Sequence, residues 1–453
     1  SPGVERDVAP RVVLLVSLDT TRADALACYQ DQSHWGQEYP QGLRPVPQTP
    51  TLDGIAGAGV RFAWALAHAP TTLNSHASVF SGLDPHAHRV VRNGYPIPDD
   101  VPLVTELFQN AGWDTIAVIG SSALEAAMGL NRGFRRYHDP GPQPVGGMYM
   151  LGADEVTRRA LEEVDAHLAD PELATKPLFL FVHYYDAHTP WFTAPSTSQL
   201  DGSMAAIEKL TRARVAGKLR LEDAVQARAL YLAQVTWVDT QLGLLLSGLG
   251  DRGLMDDALT VVFADHGETL EESSTNPYTH GPSVGLVDVH VPLIFSGSGL
   301  FSLPSGLVEE QPVRLMDVAS TMAELAALEN VGGEGISLVR HLRGLDDPSA
   351  RISFAEATKP IGNESPNKWN NLPFERSVTK DGLVLRGNPL DGGRASLYRV
   401  AAGEPRLSIS DYPQIAGDMA ELMNDWDARA PSHRSMDASE ETQAGLKALG
   451  YLE

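Results

Sequence analysis

The 453-residue chain holds a single cysteine, Cys28, so it has no internal disulfide framework and cannot build a zinc cluster on thiolates. Long apolar runs are missing too. No stretch approaches the ~20 residues that a membrane helix needs, and Ser1-Pro2-Gly3 does not read as a signal peptide. The expectation is a cytosolic chain or one from which a targeting segment has been removed, with the periplasm or secretion favoured in the second case. Positive charge is scarce: 35 Lys and Arg against 58 Asp and Glu give a formal charge of −23. Such a surface repels phosphate backbones and anionic lipid, which disfavours nucleic acid and membranes as partners. No internal repeat or low-complexity tract is evident. The hydrophobic fraction, 43%, is ordinary for a globular protein and supplies a sizeable core.

Within that core, apolar runs end abruptly in polar residues. Val12 to Val16 runs through Ser17-Leu18 into Asp19, Leu259 to Ala264 runs into Asp265-His266, and Leu178 to Val182 runs into His183, Asp186 and His188. Short runs rich in Val, Leu and Phe read as strands buried on both faces, as in a parallel sheet covered by helices. In open α/β sheets the ligand site lies outside the carboxyl ends of the strands, so these ends can gather carboxylates and imidazoles from distant parts of the sequence. Thr115–Ile119 and Val291–Phe295 read as further strands. Leu232, Val235, Val238, Leu242 and Leu245 mark an amphipathic helix ahead of the Asp265 strand, and Leu103, Leu107 and Phe108 a shorter one. After about residue 350 the pattern changes to short β pieces, Gly382–Leu385 and Ser396–Val400, separated by the turn Asp391-Gly392-Gly393. The expected fold is α/β, in two parts: residues 1–350 as the catalytic domain, and residues 351–453 as a small antiparallel subdomain closed by a helix.

Asp19-Thr20-Thr21-Arg22-Ala23-Asp24, Thr49 to Asp53, Pro70 to Ser78, Asp186-Ala187-His188-Thr189-Pro190 and Asp265-His266-Gly267-Glu268 follow one another in an order that resembles the sulfatase branch of the alkaline phosphatase superfamily. Arg314 to Leu328, Leu397-Tyr398 and Ala448 to Tyr451 extend the resemblance to nearly the whole chain. It implies a large, mostly parallel mixed sheet between helices, a smaller C-terminal sheet, and a hydrolase of sulfate or phosphate esters. The departures narrow this. Thr72 stands where sulfatases carry the Cys or Ser that becomes formylglycine, and Asn74, Ser75 and His76 replace the Pro-Ser-Arg step. Gly120-Ser121-Ser122-Ala123 replaces the Gly-Lys-Trp-His element that helps hold sulfate. Thr as nucleophile, and Asp-His in place of Asp-Asn, resemble instead the phosphodiesterase, nucleotide pyrophosphatase and phosphonate monoester hydrolase relatives.

A Thr hydroxyl is a poor nucleophile at neutral pH and needs a base or a cation to activate it. Asp19, Asp265 and His266 supply two hard oxygens and an imidazole for one divalent metal, with Thr72 Oγ as a further ligand. The imidazole favours zinc or manganese over calcium. A second metal is the lesser expectation, since it would want Asp and His at a wider spacing than Asp186 and His188. His188 and His280 are candidates to protonate the leaving oxygen, and Asn93 and His76 to bind the ester. The substrate expected is a small anionic ester, a phosphate mono- or diester. Sulfate esters cleaved without formylglycine, or a weakly catalytic relative that only binds anions, are the alternatives. Blander readings stand beside these: Asp19 and Asp265 as helix caps, Asp186 as a turn former, Asn93 as a loop residue, and His183 as a core histidine outside the site. Lys359, Lys368 and Trp369 read as surface, and Asp24, Asp53, Asp239 and Asp317 as structural.

Overall fold

The computed structural model describes residues 9–34, 43–90, 92–140, 150–191, 193–195, 201–357, 375–387 and 394–430. Lys359, Lys368, Trp369, the turn Asp391-Gly392-Gly393 and the tail Ala448 to Tyr451 lie outside them. Eight strands form the main sheet, in the spatial order β10 (Leu307–Glu309), β2 (Val60–Phe62), β9 (Leu293–Gly297), β7 (Ala258–Phe263), β1 (Val12–Leu18), β6 (Leu178–Tyr184), β4 (Asp114–Ile119) and β5 (Arg136–His138). All neighbours are parallel except β9, which runs against both β2 and β7. A short sheet of β11 (Val313–Arg314), β3 (Ala65–Leu66) and β8 (His290–Val291) stands beside it. The expected Val291–Phe295 strand is thus split, because Pro292 has no N–H for a continuous ladder.

β1, β6 and β7 are buried along their whole length, which explains why their sequences are apolar runs rather than alternating patterns. Helices flank the sheet. The amphipathic stretch around Leu232–Leu245 belongs to a 31-residue helix, Leu221–Asp251, that packs against Ala153–Ala169 and Pro50–Ala58. Thr72–Ser81 packs against Asp317–Leu325. Asp239 accepts from Thr51 N and Leu52 N (3.1 and 2.8 Å), so one helix caps another, and Asp317 pairs with Arg314 and Arg351.

The C-terminal sheet is wholly antiparallel, in the order β12 (Ser353–Ala357), β13 (Glu375–Lys380), β14 (Leu383–Gly387), β15 (Ala395–Arg399), β16 (Arg406–Leu407). It has a small core of its own, Val378, Leu383, Leu385 and Leu397 against Met419 of the helix Pro413–Asp427. Trp426 of that helix stacks between His86 (3.5 Å between centroids) and Phe354 (5.0 Å) and donates to Asp84 Oδ2 (2.9 Å), which ties the subdomain to the main body. No helix among the described residues is long and apolar enough to cross a membrane.

Candidate active site and metal centre

Because β1 is parallel to both β6 and β7, the three carboxyl ends lie side by side, and the residues that follow them meet. Asp19 continues the β1 ladder, its N–H bonding to Tyr184 O (2.9 Å). The chain then turns sharply at Thr20, whose φ of 50° is costly for a β-branched residue. The turn is held from outside: Tyr231 OH donates to Thr20 O (2.9 Å) and accepts from Arg22 N (3.0 Å). Thr20 N donates to Asp265 Oδ1 (3.1 Å), which also accepts from His266 N (2.8 Å). One oxygen of Asp265 is therefore committed to the backbone, and Oδ2 has no hydrogen-bond partner.

His266 donates from Nδ1 to Gly267 O (2.9 Å), since a carbonyl can only accept. The proton is thereby placed on Nδ1 and the lone pair on Nε2, the form in which imidazole binds metal. Gly267 is required here: a Cβ would lie 2.1 Å from Val287 O. Donor atoms of Asp19, Asp265 and His266 all fall within 4.8 Å of one another. Asp19 Oδ1, Asp265 Oδ2, His266 Nε2 and Thr72 Oγ1 are all buried and all without hydrogen-bond partners. Burial pushes Asp19 and Asp265 far above the ordinary carboxylate value, with Glu268 adding to the shift for Asp19 and Asp19 adding to it for Asp265. Burial, with His280 next, pushes His266 well below its ordinary value. Crowded buried carboxylates with orphaned oxygens, beside a neutral imidazole lone pair, are what a divalent cation would offset. The three residues fit a single divalent-metal site. Among the described residues they are the one set of three such groups that converges in this way.

Thr72 opens the helix Thr72–Ser81, and its hydroxyl stands beside Asp19, where it favours the charged carboxylate. Asn93 Oδ1 accepts from Leu73 N (2.7 Å), and its Nδ2 is buried without a partner. Ser75 Oγ donates to Asp265 O (2.6 Å), which fastens the helix Thr72–Ser81 to the loop that carries Asp265 and His266. His76 lies one turn after Thr72 and faces inward. Its Nδ1 donates to Thr72 O (2.7 Å) and its Nε2 accepts from Ser17 Oγ (2.9 Å), so both nitrogens are used and neither is left for an ester. The expectation that His76 binds substrate is replaced by a place beneath the helix.

His188 stacks on Tyr185 (4.4 Å between centroids) and donates from Nδ1 to Thr189 O (2.6 Å). Its ring meets His280 edge-on (4.8 Å), and the His280 ring is 4.6 Å from that of His266. The two histidines expected on the leaving-group side thus form a continuous row with the metal-site imidazole. Asp186 is drawn elsewhere: its Oδ1 accepts from Ala153 N (3.1 Å) at the start of the helix Ala153–Ala169, and burial raises its pKa to about 6.

Two residues of the centre escaped the sequence reading. Glu268, fully buried, sits 3.4 Å from His280 Nδ1 and acts on Asp19. His183, taken from sequence as an ordinary core histidine, places Nε2 3.1 Å from Asp19 Oδ2. A signal existed for Glu268, an acid three residues after a strand-end ligand.

The family model named Sulfatase matches residues 11–328. The chain belongs to the sulfatase family. Membership classes it as an ester hydrolase of the sulfatase and alkaline phosphatase superfamily. Among curated relatives of this family member, the ulvan-active sulfatase of Formosa agariphila is 22% identical over 368 residues, covering 76% of this chain and 68% of its own. The choline-sulfatase of Rhizobium meliloti is 23% identical over 416 residues, covering 78% of each. Among solved structures, the phosphonate monoester hydrolase of Silicibacter pomeroyi superposes with a TM-score of 0.64 at 20% identity, covering 93% of this chain and 96% of that one. At that identity the last comparison speaks for the fold.

Proposed function

We propose that this sulfatase-family chain hydrolyses small anionic phosphate mono- or diesters, with unmodified Thr72 as the attacking group. The observation that carries the reading is the position of the Thr72 hydroxyl, buried and beside the metal-site carboxylate of Asp19, whose charged form it favours. A divalent cation held by Asp19, Asp265 and His266, zinc or manganese given the imidazole, would lower the hydroxyl's pKa and offset charge on the ester. Thr72 Oγ gives up its proton to solvent water and attacks phosphorus in line as the bond to the leaving oxygen breaks, and that oxygen takes a proton from His188 or His280. Water then attacks the phosphothreonine and gives one proton to that histidine, the P–Oγ bond breaks, and Thr72 Oγ takes a proton from solvent, which restores the hydroxyl. Asn93 Nδ2, a buried donor next to the start of the helix Thr72–Ser81, would bind an equatorial oxygen. The helix N-terminus favours the same negative charge.

Sulfate esters are the second reading, and the names of the curated relatives, ulvan-active sulfatase and choline-sulfatase among them, favour it. Chemistry at Thr72 weighs the other way. A formylglycine hydrate expels sulfate by collapsing to its aldehyde, whereas threonine cannot form that aldehyde and must be cleared by water. A panel of p-nitrophenyl sulfate, phosphate and phosphodiester with added Zn²⁺ or Mn²⁺ separates the two. Phosphate esters are expected to turn over faster, and Thr72→Ala to lose nearly all turnover while still taking up metal. A faster sulfate would overturn the preference, and an active Thr72→Ala the nucleophile.

A further inference from the structure

β1 has one polar residue, Ser17, and the parallel register sets His183 of β6 directly opposite it. Both are fully buried among aliphatic and aromatic side chains. An imidazole in such a place costs free energy unless its polar atoms are used. Ser17 is not its partner, because that hydroxyl is given to His76 Nε2. His183 instead directs Nε2 to Asp19 Oδ2 at 3.1 Å. With Asp19 ionised, as a metal ligand is, Oδ2 can only accept, and the proton of neutral His183 is then on Nε2. The other nitrogen, Nδ1, is buried with no hydrogen-bond partner.

Asp19 is therefore gripped twice from β6. Its main-chain N–H bonds to Tyr184 O and its Oδ2 accepts from His183, while Oδ1 stays unpartnered. Asp265 repeats the pattern, with Oδ1 held by two backbone N–H groups and Oδ2 unpartnered. In each carboxylate one oxygen is fixed by the fold and the other is left over. For Asp265 the backbone supplies the fixing donors. For Asp19 the second grip is a side chain, and the family-wide motifs did not mark it.

We propose that His183 is a positioning residue of the metal centre, whose Nε2–H locks the Asp19 carboxylate so that Oδ1 is presented to the cation. This rests on the metal-site reading above. Donors behind a ligating group raise metal affinity by fixing the ligand before the ion arrives, and their loss costs about 10–100-fold in affinity. A histidine that only filled the core would be replaceable by any side chain of similar volume.

The test is calorimetric titration of the EDTA-stripped 453-residue chain with Zn²⁺ and with Mn²⁺, on the parent, Asp265→Ala, His183→Gln and His183→Leu. The Gln amide reaches about as far as imidazole Nε2 and keeps a donor, whereas Leu suits a buried strand and supplies none. His183→Leu should weaken binding about 10–100-fold, and His183→Gln should stay within roughly threefold of the parent by the same reasoning. Thermal melting of both in EDTA checks folding, and a purely structural role would lower melting without separating Gln from Leu in affinity. Parent-like affinity in His183→Leu, or equal losses in both variants, overturns the proposal. If the parent itself takes up no more ion than Asp265→Ala, the metal-site reading has failed and His183 falls with it. Binding by the parent but not by Asp265→Ala puts His183 alone at stake.

Discussion

Replacing Asp265 by Asn should leave the metal-free protein as stable as the parent or more so, while abolishing its stabilisation by metal. The substitution keeps Oδ1, and with it the bonds from Thr20 N and His266 N. Only Oδ2, the unpartnered atom facing the cluster, is exchanged for an amide. Donor atoms of Asp19 and Asp265 lie within 4.8 Å. Two unit charges at that separation repel by roughly 3.5 kcal/mol at an effective dielectric constant of about 20. Burial already drives both carboxyls toward the neutral form, which relieves part of this, so a gain of roughly 1–2 kcal/mol is expected for Asp265→Asn without metal. An unfolding entropy of about 2.1 cal/mol/K per residue makes 1 kcal/mol worth about 1 °C in a chain this long. Scanning calorimetry in EDTA should therefore give a Tm up to ~2 °C above the parent. With Zn²⁺ or Mn²⁺ at about 1,000 times Kd, linkage adds about 4 kcal/mol to the parent, or ~4 °C, and nothing to the variant. A metal-free Asp265→Asn that melts well below the parent would refute the account of crowded carboxylates. A parent whose Tm ignores both EDTA and metal would refute the site.

Three further outcomes follow from the geometry. Removing His280 or His188 should slow esters of poorly acidic alcohols far more than p-nitrophenyl esters, because only the former need a proton at the leaving oxygen; equal losses on both would assign the row of rings to binding or support. Gly267→Ala drives a Cβ to 2.1 Å from Val287 O, so the 265–268 loop must shift; a loss of roughly 1–3 kcal/mol and weakened metal uptake are expected in melting and titration, and parent-like values would show the loop to be pliant. Glu272 is half-buried, and the desolvation alone would raise its pKa, yet Arg22 and Arg228 hold it down at about 2. A depressed folded pKa stabilises above the unfolded value of about 4.3 and stops doing so as pH falls toward 2. Melting curves of the parent and Glu272→Gln should accordingly differ at neutral pH and converge between about pH 4.5 and 2. A constant gap across that window would assign the loss to packing.

The metal ligands were legible because parallel strands advertise their ends: Asp19 and Asp265-His266 interrupt runs that have no other reason to stop. Motif order singled out Thr72, and the fold brings its hydroxyl beside Asp19. His183 was hidden by the same physics that revealed the strands. A strand buried on both faces has no polar side against which an inward histidine stands out, and its partner, Asp19, is 164 residues away. His76 misled for a local reason. It shares a helix face with Thr72, but at i+4 its ring folds back onto the Thr72 carbonyl rather than outward. The break at Pro292 follows from residue chemistry, but the pairing of β8 with β3 instead of the main sheet is a tertiary choice no local pattern records.

The central place of β1 also governs how the chain can assemble. Val12 pairs with Leu178 on one side and Ala258 on the other, so β1, once out of the ribosome, waits for partners 166 and 246 residues later. At synthesis rates of about 5–20 residues per second that wait is roughly 10–50 s. Throughout it, Val12–Leu18 is an apolar, β-prone, uncharged heptad with neither edge covered, the kind of segment that pairs with other chains. The centre itself cannot close until Asp265 and His266 have emerged, which makes metal capture a late event in the life of the nascent chain. Yield in a heterologous host should then be limited by how well Val12–Leu18 is shielded during translation, rather than by the supply of metal.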